Sequence, residues 1–295
     1  MLLRWLVANY YRQVADQLWE GVTSTASQLL HGPAEQVVPP AHFRSVLVTG
    51  VKWEAGPILR ALEPVVSARY EEGHEHWGIY RNVPVRVVET GMGPQLAARA
   101  TRALVSRCRP ERVLAIGFAA ALTDRIPVGS VVVPARVLDS EGNEIPWTPA
   151  DWPLTEQLPV ASAAMVSLDR VLTSAQQRQA VAERFAAEVA DQETAAILRV
   201  CAELGIPCHA VKVVTDAWDD PLPQEVRRWL KQKSWAGKLG VLAGALIYRR
   251  EELGELWRLK ERAAVCSQRL ADALGFTGTP PPQAPGSPQA EGGQA

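Results

Sequence analysis

The chain has 295 residues, of which 47% are hydrophobic and 21% charged, a composition with room for one large core or two modest ones. Its 31 basic and 32 acidic residues leave a net charge of −1; so balanced a chain has no field for gripping a phosphate backbone, and nucleic acid is not expected as the main partner. No apolar run reaches the ~20 residues that cross a bilayer, and Cys108, Cys201, Cys208 and Cys266 form no C-x-x-C pair, which argues against a disulfide scaffold or a zinc finger and for a reducing, cytoplasmic setting.

Residues 1 to about 30 read as one amphipathic helix. Leu3, Leu6, Val7, Tyr10, Val14, Leu18 and Val22 recur at three- and four-residue intervals. Such a helix packs on the body of the protein or on a second subunit; its Trp5, Tyr10, Tyr11 and Trp19 also suit peripheral contact with a membrane surface. The apolar start is too short and interrupted for a signal peptide. A linker with prolines at 33, 39 and 40 closes this part, so residues 1–43 are set apart from a body of 44–276 and a tail of 277–295 whose Pro, Gly and Gln leave little to bury.

Within the body, β-rich runs alternate with helical spacing. Strands are expected over 45–49, 83–90, 112–116, 130–138, 165–168 and 209–215, with helices over 95–107, 174–186, 193–204 and from 251 to about 274, where Gly275 stops the last. The alternation predicts an α/β domain with a largely parallel, covered sheet. Ligands of such sheets bind where loops leave the C-terminal ends of strands. Several strand ends here finish in a glycine or an acid: G-V-K-W-E-A at 50–55, E-T-G-M-G-P-Q at 89–95, A-I-G-F-A-A-A-L at 115–122, A-D-Q-E-T-A-A at 190–196 and V-K-V-V-T-D at 211–216. The H-E-H run at 74–76 reads as a surface hairpin without a third metal ligand.

The order and spacing of these segments resemble the nucleoside phosphorylase and nucleosidase superfamily, in particular its methylthioadenosine/S-adenosylhomocysteine nucleosidase branch and the related futalosine and adenosylhopane nucleosidases. The resemblance covers roughly residues 45–220. It implies a three-layer α/β/α sandwich around a mixed twisted sheet, here with added N- and C-terminal helices, and usually a homodimer. It implies no cofactor and no metal. Its expected activity is hydrolysis of the N-glycosidic bond of a purine nucleoside of adenosine type. Carried over by position, Asp216 matches the acid that protonates the purine at N7. Glu193 matches the acid that holds the ribose hydroxyls. Glu54 stands in the region of the acid that positions water, although one placement of the gap puts Ala55 there instead. Gly91, Met92, Gly93, Ala119, Val171, Leu172, Gln192 and Thr215 fall at substrate-binding positions.

The chemistry asks for such groups independently. Breaking a C–N glycosidic bond leaves a sugar close to an oxocarbenium ion, which carboxylates stabilise as they do in glycoside hydrolysis. The purine departs well only when protonated, and a carboxyl held from water can keep a proton near neutral pH. The chain departs from the family at Ala119, Ala120 and Ala121, where glycines are common, at Gln192, where a methionine is common, and at Val171 and Leu172, where an aromatic residue often stacks on the base. Two other readings stay open. A phosphorylase would need cations converging on phosphate, for which Arg60, Arg86 and Arg99 are the body's candidates. A catalytically silent protein would use the same pocket to bind a nucleoside.

Overall fold

The structure is a computed structural model. It describes residues 43–149, 152–155, 159–220 and 250–276. The expected N-terminal helix and linker, the cationic apolar stretch before Arg250 and the C-terminal tail lie outside the described residues. The elements run β1 (Ser45–Thr49), α1 (Gly56–Ala61), β2 (Val66–Tyr70), β3 (Gly73–Tyr80), β4 (Val83–Glu89), α2 (Pro94–Cys108), β5 (Arg112–Ala121), β6 (Val131–Leu138), β7 (Val160–Ser167), α3 (Ala175–Phe185), β8 (Val189–Asp191), α4 (Thr194–Glu203), β9 (Cys208–Asp216) and α5 (Arg250–Ala273).

All nine described strands join one mixed sheet, in the order β2-β3-β4-β1-β5-β8-β7-β6-β9. β1 lies parallel to both β4 and β5, while β2-β3-β4 is an antiparallel meander. The β3–β4 turn places Arg81 and Asn82 at φ 48° and 64°, the backbone of a two-residue hairpin loop that follows strand twist. β9 returns to pair with β5 as well as β6, so β5, β8, β7, β6 and β9 close a ring. Helices cover both faces, giving the three layers expected. Residues alternate along β1: Val46 and Val48 pack with α2 and α4 through Leu104, Ile197 and Leu198, whereas Leu47 packs with α1 and α5 through Ile58, Leu270 and Ala271.

The structure corrects the sequence reading in several places. β5 does not stop at Ile116 but runs on through Gly117 to Ala121, so the three alanines sit in a strand and not in a loop. β7 begins five residues earlier than expected, and β2 and the three-residue β8 had no reading of their own. The H-E-H run does lie in a hairpin strand, but it is not a surface feature: Glu75 and His76 are buried. Arg86 pairs with Glu75 inside the protein, and His76 Nε2 lies 2.7 Å from Glu89 Oε1. Alternation alone could not reveal this, because β3 and its neighbour β4 share buried polar partners across the sheet. No helix among the described residues is long and apolar enough to cross a membrane.

Candidate active site

Four chain segments meet at the C-terminal ends of the parallel strands. Gly50, Val51 and Glu54 follow β1. Met92 follows β4. Phe118, Ala119 and Ala120 are the last part of β5, and Asp191, Gln192 and Glu193 join β8 to α4. Together with Leu168, Arg170, Val171, Leu172, Arg178 and Asp216 they line one cavity. Glu54, Glu193 and Asp216, separated by more than 130 residues at the extremes, therefore face a common space. Met92, Ala119, Val171, Leu172 and Gln192 also line it. Gly91, Gly93 and Thr215 are not among its lining residues; Gly93 and Thr215 instead bond to Glu193 and Asp216.

Glu54 sits in the turn between β1 and α1. Its Oε2 accepts from the Thr49 hydroxyl and from the backbone N–H groups of Gly50 and Val51, at 3.0 and 3.1 Å. Its Oε1 accepts from Phe118 N–H at 2.9 Å. Oε1 thus carries one of these hydrogen bonds and Oε2 the other three, and Glu54 lines the cavity. Gly117 makes this arrangement possible. Its φ is +140°, and a Cβ there would lie 2.8 Å from Glu54 Oε1. The close approach needs hydrogen in place of a side chain. Ala119 and Ala120 line the cavity, whereas Ala121 packs in the core.

Glu193 precedes α4 in the N-cap position, yet its side chain does not cap that helix. Asp191 takes the task, accepting from Thr194 N–H at 3.0 Å, from the Thr194 hydroxyl and from Ser167. Glu193 is thereby released to reach across to the T-G-M-G loop, where Gly93 N–H donates to Oε1 at 2.8 Å. Gly91 and Gly93 have φ of +80° and +94°, which turn that backbone toward the site, and Pro94 opens α2.

A cation missed by the sequence reading completes the cluster. Lys212, in the middle of apolar β9, is 2% exposed. Its Nζ lies 3.0 Å from Asp191 Oδ2 and donates to Ile116 O at 3.2 Å. Burial works against its charge, but Asp191, Glu54 and Glu193 outweigh burial and hold its pKa above the ordinary value. Burial is also the largest influence on Glu193. With the charge of Asp191 and then Glu54, it pushes that carboxyl up to about 8, against the opposing pull of Lys212 and Gly93 N–H. Three carboxyl groups around one ammonium relieve their repulsion when one of them keeps a proton. The signal for Lys212 was legible: a lone lysine inside V-K-V-V has to be paired if the strand is central.

Asp216 ends β9, where the β5–β9 register slips: Ala119 pairs with Val214 but Ala120 with Asp216. The bulge re-aims the chain, and Asp216, 5% exposed, takes a 2.8 Å hydrogen bond from the Thr215 hydroxyl. Of the cations considered for phosphate, Arg60 and Arg99 are exposed and outside the cavity lining, and Arg86 is bound to Glu75. The arginines that do line the cavity are Arg170 and Arg178. Among the described residues no group of three or more His, Cys, Asp or Glu is placed to hold a metal ion.

Comparison with known proteins agrees with this architecture. A family model described as the phosphorylase superfamily matches residues 44–236. A 5'-methylthioadenosine/S-adenosylhomocysteine nucleosidase of Staphylococcus aureus (strain JH9) is 27% identical over 162 residues, covering 47% of this chain and 71% of that protein. Among solved structures, the native futalosine hydrolase of Helicobacter pylori strain 26695 overlaps with a TM-score of 0.56 at 14% identity, over 78% of this chain and 97% of that one. The 5'-methylthioadenosine/S-adenosylhomocysteine nucleosidase of Neisseria meningitidis in complex with methylthio-immucillin-A gives 0.55 at 17% identity, over 79% and 100%. At such identities the structural likeness speaks for the fold, and the family match carries the assignment: the chain belongs to the phosphorylase superfamily.

Proposed function

We infer that the protein hydrolyses the N-glycosidic bond of a purine nucleoside of adenosine type, releasing free base and a ribose derivative. The observation that carries this reading is the convergence of Glu54, Glu193 and Asp216 on one cavity. The names of its relatives, nucleosidases for methylthioadenosine and S-adenosylhomocysteine, agree with it.

In this mechanism Asp216 is the general acid and gives a proton to N7 of the base as the C–N bond pair moves onto the ring. Thr215 orients the carboxyl. Glu193 accepts hydrogen bonds from the vicinal ribose hydroxyls and holds the sugar in a reactive pose. Glu54 takes the proton of a water held at its Oε1 as that water attacks the anomeric carbon, and the carboxylates shield the positive charge that builds there. Lys212 keeps the acids from repelling one another apart. Val171 and Leu172 offer the base an apolar wall in place of a stacking ring.

The phosphorylase reading has less to stand on, because Arg178 already serves three backbone carbonyls and Arg170 is exposed. The test is a panel of adenosine, methylthioadenosine, S-adenosylhomocysteine, inosine, futalosine and a lipid-linked adenosine, assayed for free base with and without phosphate. Release in phosphate-free buffer is expected. A strict phosphate requirement would make the protein a phosphorylase, and binding without turnover would make it a sensor.

A further inference from the structure

The turn that leaves Asp216 is held by two arginines from different helices. Residues 217–220 follow β9 outside any described helix or strand, and Asp220 N–H closes the turn on Ala217 O at 3.2 Å. Arg178 of α3, 2% exposed, sends Nη1 to the carbonyls of Ala217 at 2.8 Å, Trp218 at 3.3 Å and Asp220. Arg262 of α5 donates through its own Nη1 to Asp220 Oδ2 at 2.6 Å and to Thr215 O at 3.4 Å. The core residues of α3 and α5 belong to separate clusters, so residues 215–220 are where the two helices are tied together.

A turn with its own closing hydrogen bond needs no such grip to exist. Burying a guanidinium is unfavourable unless its donors are met, and Arg178 Nε is buried without a partner among the described residues. Both cations act on the few residues that fix where the Asp216 carboxyl sits.

We propose that Arg178 and Arg262 form a clamp that positions Asp216 for proton transfer to the departing base. The proposal rests on the reading of Asp216 as general acid. Neither arginine delivers the proton; they hold the acid over the ring nitrogen that receives it. A displacement of about 1 Å at a reacting group can cost on the order of a hundredfold in rate, so a modest relaxation of the turn has a large effect. Arg262 is the cleaner probe, since it is outside the lining of the cavity that holds Asp216 and donates to Thr215 and Asp220 of the turn.

The test compares two leaving groups in the full-length protein. A purine needs protonation to depart, whereas 4-nitrophenolate leaves a 4-nitrophenyl riboside without it. For Arg262→Met, kcat on the purine nucleoside is expected to fall about tenfold. For Arg178→Met it is expected to fall about a hundredfold, with Arg178→Lys between. In Arg262→Met the KM for the nucleoside and the affinity for free base stay within about threefold, and kcat on the nitrophenyl riboside is unchanged. Loss of both substrates in parallel, or a rise in KM with kcat intact, overturns the clamp, as do variants that match the wild type on the purine. The KM-against-kcat split on the purine decides the matter by itself if the nitrophenyl riboside is not turned over. A wild-type protein that releases no base from any nucleoside overturns the hydrolase reading, and the clamp with it; a wild-type hydrolase with indifferent clamp variants overturns the clamp alone.

Discussion

Glu193→Gln removes one titrating group from the cluster of Asp191, Glu54 and Glu193 around Lys212. Glu193 has an ordinary value of 4.5 and is held at about 8 in the folded protein, chiefly by burial and then by Asp191. Between those values the native state keeps a proton that the unfolded chain has lost. Stability therefore falls as pH rises, by about 1.4 kcal/mol per unit for one such group. The contribution is whole below pH 4.5 and gone once pH has passed 8. Across the full window its ceiling is about 5 kcal/mol, and the coupling to Asp191 and Lys212 keeps the measured effect below that. Glutamine cannot ionise, so the stability of Glu193→Gln relative to wild type is expected to climb from pH 5 to pH 8 and then level off. Urea unfolding followed by tryptophan fluorescence, in half-unit steps from pH 5 to 9, measures that difference. A difference that does not change with pH would refute the argument that native Glu193 is held protonated. Ligand reverses the preference, because a ribose diol donates to the ionised carboxylate. Nucleoside binding near pH 7 is expected to expel a proton, which calorimetry in buffers of different ionisation enthalpy reads directly.

Gly117→Ala places a methyl 2.8 Å from Glu54 Oε1 on a backbone at φ +140°; it is expected to lower stability by about 1–3 kcal/mol and base release at least tenfold, and unchanged stability by urea unfolding would contradict the close approach. Lys212→Met strands Asp191 as a buried charge; a loss of about 3–5 kcal/mol is expected, and a variant as stable as wild type at pH 7 would show that the pair is not buried as described. Ser174→Ala, which removes the hydroxyl that accepts from Gln177 N–H at the start of α3, is expected to cost about 1 kcal/mol with kcat within twofold, and a larger fall in kcat would mean that α3 transmits more to the site than its Arg178 contacts imply.

Much of the fold was legible because burial on both faces writes parallel strands as apolar runs. S-V-L-V-T and V-V-T-D were readable in this way, and the helical spacing of 95–107 located α2 to within a residue at each end. Two of the acids were legible for a related reason, Glu54 soon after S-V-L-V-T and Asp216 at the end of V-K-V-V-T-D, at the sheet edge where α/β ligands bind, whereas Glu193 opens a helical segment and was placed by the family resemblance. What stayed hidden depends on partners that are distant in sequence. The continuation of β5 through G-F-A-A-A relies on pairing with β8 and β9, and glycine and alanine carry little strand preference of their own. The burial of Glu75 and His76 depends on Arg86 and Glu89 one strand away. Both Asp191 and Glu193 stand at a helix start in the sequence, and the structure gives the cap to Asp191 and the bond from Gly93 N–H to Glu193. The grip of Arg178 on the turn after Asp216 has no local pattern at all, since its acceptors are backbone carbonyls roughly forty residues on.

The central claim is that Asp216 breaks a glycosidic bond by protonating the base, and free-base release by wild type and Asp216→Asn in phosphate-free buffer tests it most directly, with nucleoside affinity measured alongside. The wild type is expected to release base without phosphate, and Asp216→Asn to lose about 10²–10⁴ in kcat while still binding the nucleoside. An Asp216→Asn protein that turns over as fast as the wild type would contradict the account.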